Sequence, residues 1–547
     1  LYRLIKQSQV LNEVLSDVTE QHSYSDIAKR LQAFFSHLEE QSVSNSEHAN
    51  KLFNMVLSEI ERLAHQHDDF YLCFQSILLL YGDKKAAFES LAEYTKNPKL
   101  PFEQRWYIHW QLCLTYFVNP NEFERRYRDE LLLSSYRSSL SSYAKEFEQH
   151  HASSRALASM LVGNDFAKQT LTSQKIVIVT NQFIGLKHAP TSLCLNMAMK
   201  YIELGYDVSI VNLAVLPENQ DALFVGGCGF NSLSELDNTG IDYMMDEARC
   251  RFIPNSLRFN QIIYRHHKIP FSQVSDRNKH YSAIELLLNH NPQLVVSVSD
   301  NNLFADVLGK YSRGAFPVVM YPTSSGTPLT LFSTPLNMSH PYLEKETPSH
   351  PDSIELLRSY AKPFTYKSLG RESLGLPAEK FLISLVGTRI CEELDKASLN
   401  ALYVLLESDE SIDIVFVGPP KERFEALGLH YKERIHHLPY VTDLSSVIAE
   451  MDLFFNPDRA GGGTSAVMAL GAGVPIVTLS RGYSDVAWWV QDKFSFKTLD
   501  DAIRFALRCS SDQAYYTEQR QVALSEYQQV STCGCSFEKL LKDVGLT

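Results

Sequence analysis

The sequence predicts an α/β protein in which two doubly wound domains face one another across a cleft, preceded by an all-α N-terminal domain. Three observations carry this prediction. Helical periodicity fills residues 1–170 without convincing strand alternation; from Lys175 short β-branched runs alternate with amphipathic segments; and that texture occurs twice, on either side of a Pro-, Ser- and Thr-rich stretch. The length agrees, because 547 residues exceed what one hydrophobic core organises. A hydrophobic fraction of 44% with 21% charged residues is ordinary globular composition, which excludes wholesale disorder, collagen and coiled coil.

In the forepart, Ile27, Ala28, Leu31, Phe34, Phe35 and Leu38 form one stripe of a helix, with Ser25 or Asp26 placed to cap it. Leu52, Phe53, Val56, Leu57, Ile60 and Leu63 repeat the pattern, and 70–81, 86–95, 103–118 and 122–147 also read as helices. No self-similar helical repeat is present. The first α/β series begins with a strand at 176–179 ending in Thr180-Asn181-Gln182. A helix from about 191 to 204 follows, stopped by Gly205, and then a strand at 208–211. Strands at 294–298 and 318–321 extend the same sheet, and 321 to about 363 reads as a linker or long loop. The second series has strands at 381–386, 414–417, 435–438, 453–455 and 475–479, with helices at 395–408, 443–451 and 464–472. In such sheets ligands bind beyond the carboxyl ends of the strands.

With 51 basic and 64 acidic side chains the net charge is −13, which excludes general binding of nucleic acid and leaves room only for a local basic pocket. No apolar run approaches the ~18 residues of a spanning helix. The first residues lack the apolar stretch of a signal peptide. Nine scattered cysteines, an odd number, suit a reducing compartment, so a cytoplasmic location is expected. Cys533-Gly534-Cys535, the one close pair, reads as two free thiols.

Most chemical content lies between Asn456 and Pro475. A strand runs into Gly461-Gly462-Gly463, then the hydroxyl pair Thr464-Ser465, then a helix. Glycines let a ligand approach the backbone, and the helix start supplies unpaired N–H groups and a positive dipole end. The arrangement suits a phosphate or diphosphate. On the residues alone, a flexible turn with Thr464 or Ser465 capping the helix fits equally well.

The blocks LPYVTDLSSVIAEMDLFFNP and GGGTSAVMALGAGVPIVTL, within 438–479, resemble the nucleotide-sugar half of GT-B glycosyltransferases. They look most like the O-GlcNAc transferases and the bacterial cytoplasmic N-glycosyltransferases of high-molecular-weight adhesins. Those relatives also carry a helical domain ahead of two Rossmann-like domains. The resemblance implies a metal-independent hexosyl- or N-acetylhexosaminyl-transferase without a bound cofactor. Its co-substrate would be a nucleotide sugar, expected to be UDP-linked, and its acceptor a protein side chain or glycan. The implied division is a helical domain over 1–170, for scaffolding or acceptor recognition, and an acceptor-side Rossmann-like domain over 171–365. A nucleotide-sugar-side Rossmann-like domain over 366–520 and a helical tail over 521–547 complete it.

Within that resemblance, Gly462, Gly463, Thr464 and Ser465 stand where the donor diphosphate is held, and Arg389 stands where a basic side chain neutralises the leaving nucleotide. Tyr440 occupies the place where backbone reads the base. Two positions depart from the pattern. Met468 replaces the acidic residue that binds ribose, and Gly463 replaces a histidine, so Asp485 is the alternative carboxylate. The Glu-x7-Glu pattern of many retaining enzymes is also missing, with Ala460 and Met468 in those places, which favours inversion. On the acceptor side His188, after the first strand, is the leading candidate base, and Asp300 the second. Taken alone, His188 is more simply a capping or packing residue, and its place after the first strand is what favours function; for Asp300 ordinary strand-end capping fits equally well. A non-catalytic GT-B partner subunit, an epimerase and a sugar phosphorylase are the competing readings. The histidine pairs lack partners at ligand spacing, and no Asp-x-Asp, phosphate loop or nucleophile elbow is present, so no metal site is expected.

Overall fold

The computed structural model describes Ser58, Glu61 and 68–547 except 120–121, 125, 152–173, 184–188, 214–249, 255–258, 265, 275–282, 285–286, 288–290, 313–314, 325–326, 339–352, 357, 359–363, 481–483 and 533–535. The helix expected over 27–38, most of that over 52–63, His188 and the Cys533–Cys535 pair therefore lie outside the described residues.

The forepart is helical: α1 (Asp68–Tyr81), α2 (Lys84–Tyr94), α3 (Phe102–Val118) and α4 (Leu133–His151). The helix expected from 122 enters through a π-helical turn at Tyr127–Leu132 instead. Trp106, Tyr136, Tyr143 and Phe147 fill the centre of this domain and are fully buried. Asp83 caps α2 by accepting from the Ala86 N–H, as its short carboxylate at a helix start favours.

The first α/β domain comprises β1 (Lys175–Thr180), α5 (Ala189–Glu203), β2 (Asp207–Leu213), β3 (Cys250–Pro254), β4 (Phe259–Tyr264) and β5 (His267–Val274). It continues with β6 (Leu294–Val298), α6 (Leu303–Tyr311), β7 (Val318–Tyr321), β8 (Thr334–Asn337) and β9 (Ile354–Glu355). The sheet order is β3-β4-β5-β2-β1-β6-β7-β8-β9, parallel except where the β3–β4–β5 meander joins one side. Two results differ from the sequence expectation. The presumed linker contributes β8 and β9 to the sheet, and a hairpin with His266 at φ +68° extends its other side.

The second domain contains β10 (Phe381–Val386), α7 (Ile390–Glu393), α8 (Lys396–Ser408), β11 (Ile412–Val417), α9 (Lys421–Ala426), β12 (Ile435–Leu438) and α10 (Leu444–Ala449). After these come β13 (Leu453–Phe455), α11 (Gly463–Gly471), β14 (Ile476–Leu479), α12 (Asp485–Val490), β15 (Ser495–Phe496) and α13 (Leu499–Ser511). Its order, β12-β11-β10-β13-β14-β15, is all parallel; counted within the domain it runs 3-2-1-4-5-6, the doubly wound Rossmann arrangement. The protein is thus two Rossmann-like domains preceded by helices, the architecture that the GT-B resemblance implied.

Strand alternation divides the first domain's core. Val177, Val179, Val211 and Val295 point toward the helical forepart and share one apolar cluster with it, while Ile176, Ile178, Ile210 and Val296 face α5. Against that second face the chain end also packs. Helix α14 (Gln513–Thr532) lies along the second domain, and α15 (Ser536–Asp543) returns to the first, burying Phe537, Leu540 and Leu541 there. Lys200 and Glu538 pair at 2.9 Å across that contact.

Polar groups fix the junction between forepart and first sheet. Asp306 is fully buried and accepts N–H groups from Leu331, Phe332 and Ser333 at 2.7–2.8 Å, while Tyr136 donates to it from α4 at 3.2 Å. His109 of α3 is equally buried, with Nδ1 2.8 Å from Ser135 Oγ and Nε2 3.3 Å from Asn301 Nδ2. Burial pushes its pKa down from 6.5 to about 3, so the folded imidazole is neutral. Between those two values the unfolded chain binds a proton that the fold refuses. The stability from this group is therefore complete above pH ~6.5 and is lost as pH falls toward 3, by up to about 1.4 kcal/mol per pH unit. Urea titrations from pH 7 to pH 4 should show a shallower loss for His109→Gln than for the parent, and parallel losses would contradict the assignment.

Candidate functional site

Both sheets reverse strand order next to their first strand, at β1/β6 and at β10/β13, and such switch points open a crevice at the carboxyl ends of the strands. Loops from both crevices line one cavity of about 530 Å³, which the helical forepart walls with Trp110, Phe117 and Arg128. Gln182, Asp300 and Thr323 line it from the first domain, and Gly387, Arg389 and 459–465 from the second. Thr180 Oγ1 donates to the Val298 carbonyl at 2.9 Å, tying the ends of β1 and β6 together.

On the second-domain side the central group is Arg459, a residue the sequence reading passed over. Its side chain is only 5% exposed. The guanidinium donates to Asn456 Oδ1 at 2.9 Å, to the Val386 carbonyl at 2.5 Å and to Glu393 Oε2 at 2.8 Å. It thereby joins the end of β10 to the loop after β13 across the switch point. The glycines around it are required by its bulk. A Cβ on Gly387 would stand 2.6 Å from Arg459 Nη1, and one on Gly462 would stand 2.5 Å from Asn456 Oδ1.

Gly462 is the N-cap of α11 at φ +104° and offers no side chain to the helix start. Neither Thr464 nor Ser465 takes the capping position, so that alternative fails. The first intrahelical bond is Ala466 N–H to the Gly462 carbonyl at 2.9 Å. The amides of Gly463, Thr464 and Ser465 precede it and have no partner within the helix. These residues line the cavity, with both hydroxyl residues half-buried. α11 has nine residues, long enough to bring a positive dipole end there.

The remaining expected residues separate into groups. Arg389 lines the cavity, half exposed, with its guanidinium 2.9 Å from Glu393 Oε1 and 5.6 Å from the Phe117 ring centroid of α3. Asp485 lines it at the start of α12, and its N–H donates to the Ala460 carbonyl at 2.8 Å, pinning α12 to the glycine turn. Asp300 also lines it, but its carboxylate accepts the N–H groups of Thr323 at 2.9 Å and Ser324 at 3.2 Å and the Thr323 hydroxyl. That engagement matches a loop-holding carboxylate. Tyr440 does not reach the cavity lining: it follows β12, two strands out from β10, and is 41% exposed. His188 is outside the described residues, although its neighbour Ala189 lines the cavity. Trp488 of α12 is buried, only 5% exposed. Among the described residues no group of His, Cys, Asp and Glu is placed to hold a metal ion, and no helix is long and apolar enough to cross a membrane.

Besides Arg459, sequence reading missed Glu393 and the contribution of α3. Glu393 had a signal, since it stands four residues after Arg389 on a short helix. The wall from α3 had none, because it depends on packing between segments nearly 190 residues apart, as in the contact between Asn301 and Cys113 at 3.4 Å.

No protein-family model matches the chain, and no curated protein matches it in sequence. Among solved structures it is similar to an O-GlcNAc transferase mutant from Thermobaculum terrenum, at 12% identity over 96% of each chain with a TM-score of 0.44. It is also similar to Anabaena HepE in complex with UDP-glucose, at 12% identity over 67% of this chain and 98% of that one, TM-score 0.41. A Staphylococcus aureus (S. aureus) TarM mutant with UDP bound matches at 9% identity over 68% and 99%, TM-score 0.43. At these identities and TM-scores the likeness carries no residue roles across to this chain.

The glycine turn gives a contrast that urea unfolding can read. Gly462→Ala must place a side chain at φ +104° against Asn456, whereas a Cβ on Gly461 meets nothing within 4 Å. Gly462→Ala should cost about 2 kcal/mol or more, and Gly461→Ala less than about 0.5 kcal/mol. Equal costs would show that Arg459 does not hold the turn in this shape.

Proposed function

We propose that the chain is a glycosyltransferase of the GT-B type that moves a sugar from a UDP-sugar to an acceptor entering from the first domain. The observation that carries this reading is the corner at 463–465, where the three residues whose helix-start amides lack intrahelical partners, two of them hydroxyl residues, line one cavity together with Arg389. A diphosphate is the ligand that uses all of them. Its oxygens accept from the amides, the helix end favours its charge, and the Arg389 guanidinium is a fork suited to phosphate.

The chemistry follows from where charge develops. As the bond from the anomeric carbon to the diphosphate breaks, negative charge grows on the phosphate oxygen. Groups already aimed at that oxygen stabilise the transition state more than the ground state. This role falls to Thr464, Ser465, Arg389 and the amides, without a metal ion in the scheme. The acceptor approaches from the opposite wall, so a single displacement inverts the anomeric centre. Of the two candidate bases, Asp300 is held by Thr323 and Ser324, and the proton-accepting role is assigned to His188. Asp485, on the rim beside Gly463, is the carboxylate assigned to the ribose hydroxyls. The UDP preference and a protein or glycan acceptor are supported by the resemblance of 438–479, and a cytoplasmic location belongs to the same reading.

Thr464→Ala and Arg389→Gln should each lower the transfer rate at least tenfold, equivalent to about 1.4 kcal/mol, while thermal melting stays within a few degrees of the parent. Transfer at the parental rate would remove the diphosphate assignment. Conversion of the UDP-sugar without acceptor would point to an epimerase, and dependence on free phosphate to a phosphorylase. No UDP release from the chain alone would point to a non-catalytic partner subunit.

A further inference from the structure

Resting on the diphosphate reading, we propose that Glu393 sets how tightly the cleft grips a diphosphate, as a positioning carboxylate that holds Arg389 and competes with phosphate for it. Glu393 closes α7 with a side chain only 8% exposed, and it serves two guanidinium groups at once. Its Oε2 accepts from Arg459 at 2.8 Å, and its Oε1 accepts from Arg389 Nε at 3.0 Å with Nη2 at 2.9 Å.

The two cations are not equivalent. Arg459 is buried, and its other two nitrogens donate to Asn456 and the Val386 carbonyl, so moving it would undo the switch-point turn. Arg389 is 50% exposed and makes its other close approach to the ring of Phe117. It alone of the pair can swing toward a phosphate. Doing so means leaving Glu393 Oε1, and the carboxylate then lies near the anion that took its partner. One carboxylate shared between two guanidinium groups leaves this cluster with a net charge of one positive unit where two would bind more tightly. A transferase must release its nucleoside diphosphate each turnover, and Glu393 supplies a group to which Arg389 returns.

The test uses the full chain and calorimetric titration with UDP and with uridine. Glu393→Gln should bind UDP about tenfold more tightly, with uridine within about twofold of the parent. In turnover, KM for the UDP-sugar and kcat should fall together, because product leaves slowly. Adding Arg389→Gln to Glu393→Gln should abolish the gain. Parallel weakening of UDP and uridine would mark Glu393 as a merely structural partner of Arg459 and overturn the proposal, as would unchanged UDP affinity. Should Glu393→Gln fail to fold, Glu393→Asp keeps a carboxylate beside Arg459 but is too short to bridge both cations, and is read by the same criteria. A parent chain that binds no UDP overturns the diphosphate reading and this proposal together. A parent that binds UDP while the Glu393 variants bind it more weakly overturns this proposal alone.

Discussion

One buried guanidinium fastens the two strand ends from which the candidate donor site is built. Arg459 bonds to the last carbonyl of β10, to the first side chain beyond β13 and to the carboxylate of Glu393. Each of those groups would be costly to bury alone, and a buried ion pair broken on one side typically costs about 3–5 kcal/mol. The cluster tolerates burial because each of the three guanidinium nitrogens has an acceptor. Gly387 and Gly462 are shaped by the same group, since a side chain at either would collide with the cluster. The helix start at Gly463 points where it does because Arg459 holds the turn that leads into it.

The cleft belongs to three parts of the chain. The helical forepart is continuous with the core of the first sheet through Val177, Val179 and Val295, and buried polar links from Tyr136 and His109 fix its orientation. It consequently stands as a fixed wall opposite the glycine turn, and Phe117 reaches Arg389 across that gap. The crossing of α15 back onto the first domain gives the two Rossmann-like domains a second connection besides the segment between β9 and β10. Arg358 in that segment donates to Glu526 of α14 at 3.1 Å, so linker and tail are themselves tied.

Much of this organisation was legible in the sequence, for physical reasons that also show where legibility ended. Strands β10 and β11 lie in a parallel sheet covered on both faces, so 381–386 reads as a nearly continuous apolar run, broken only by Ser384, and 414–417 as an unbroken one. β8 did not, because Thr334-Pro335-Leu336-Asn337 lacks that pattern and Pro335 has no N–H to donate; it pairs with β7 over only two residues. The glycine and hydroxyl residues of the candidate site announced themselves through composition and the helix that follows. Arg459 lay in the same segment, but its role appears only when β10 and β13 become neighbours, a fact of sheet order. Tyr440 shows the converse. A position carried over from a resemblance fell in a loop two strands from the switch point.

We propose that a nucleoside diphosphate binds where β13 opens into α11. A crystal structure of the chain with UDP tests it most directly. Phosphate oxygens are expected within hydrogen-bonding distance of the amides of Gly463, Thr464 and Ser465, with Arg389 turned from Glu393 toward them. UDP bound at another place, with that corner making no contact to phosphate, would contradict it.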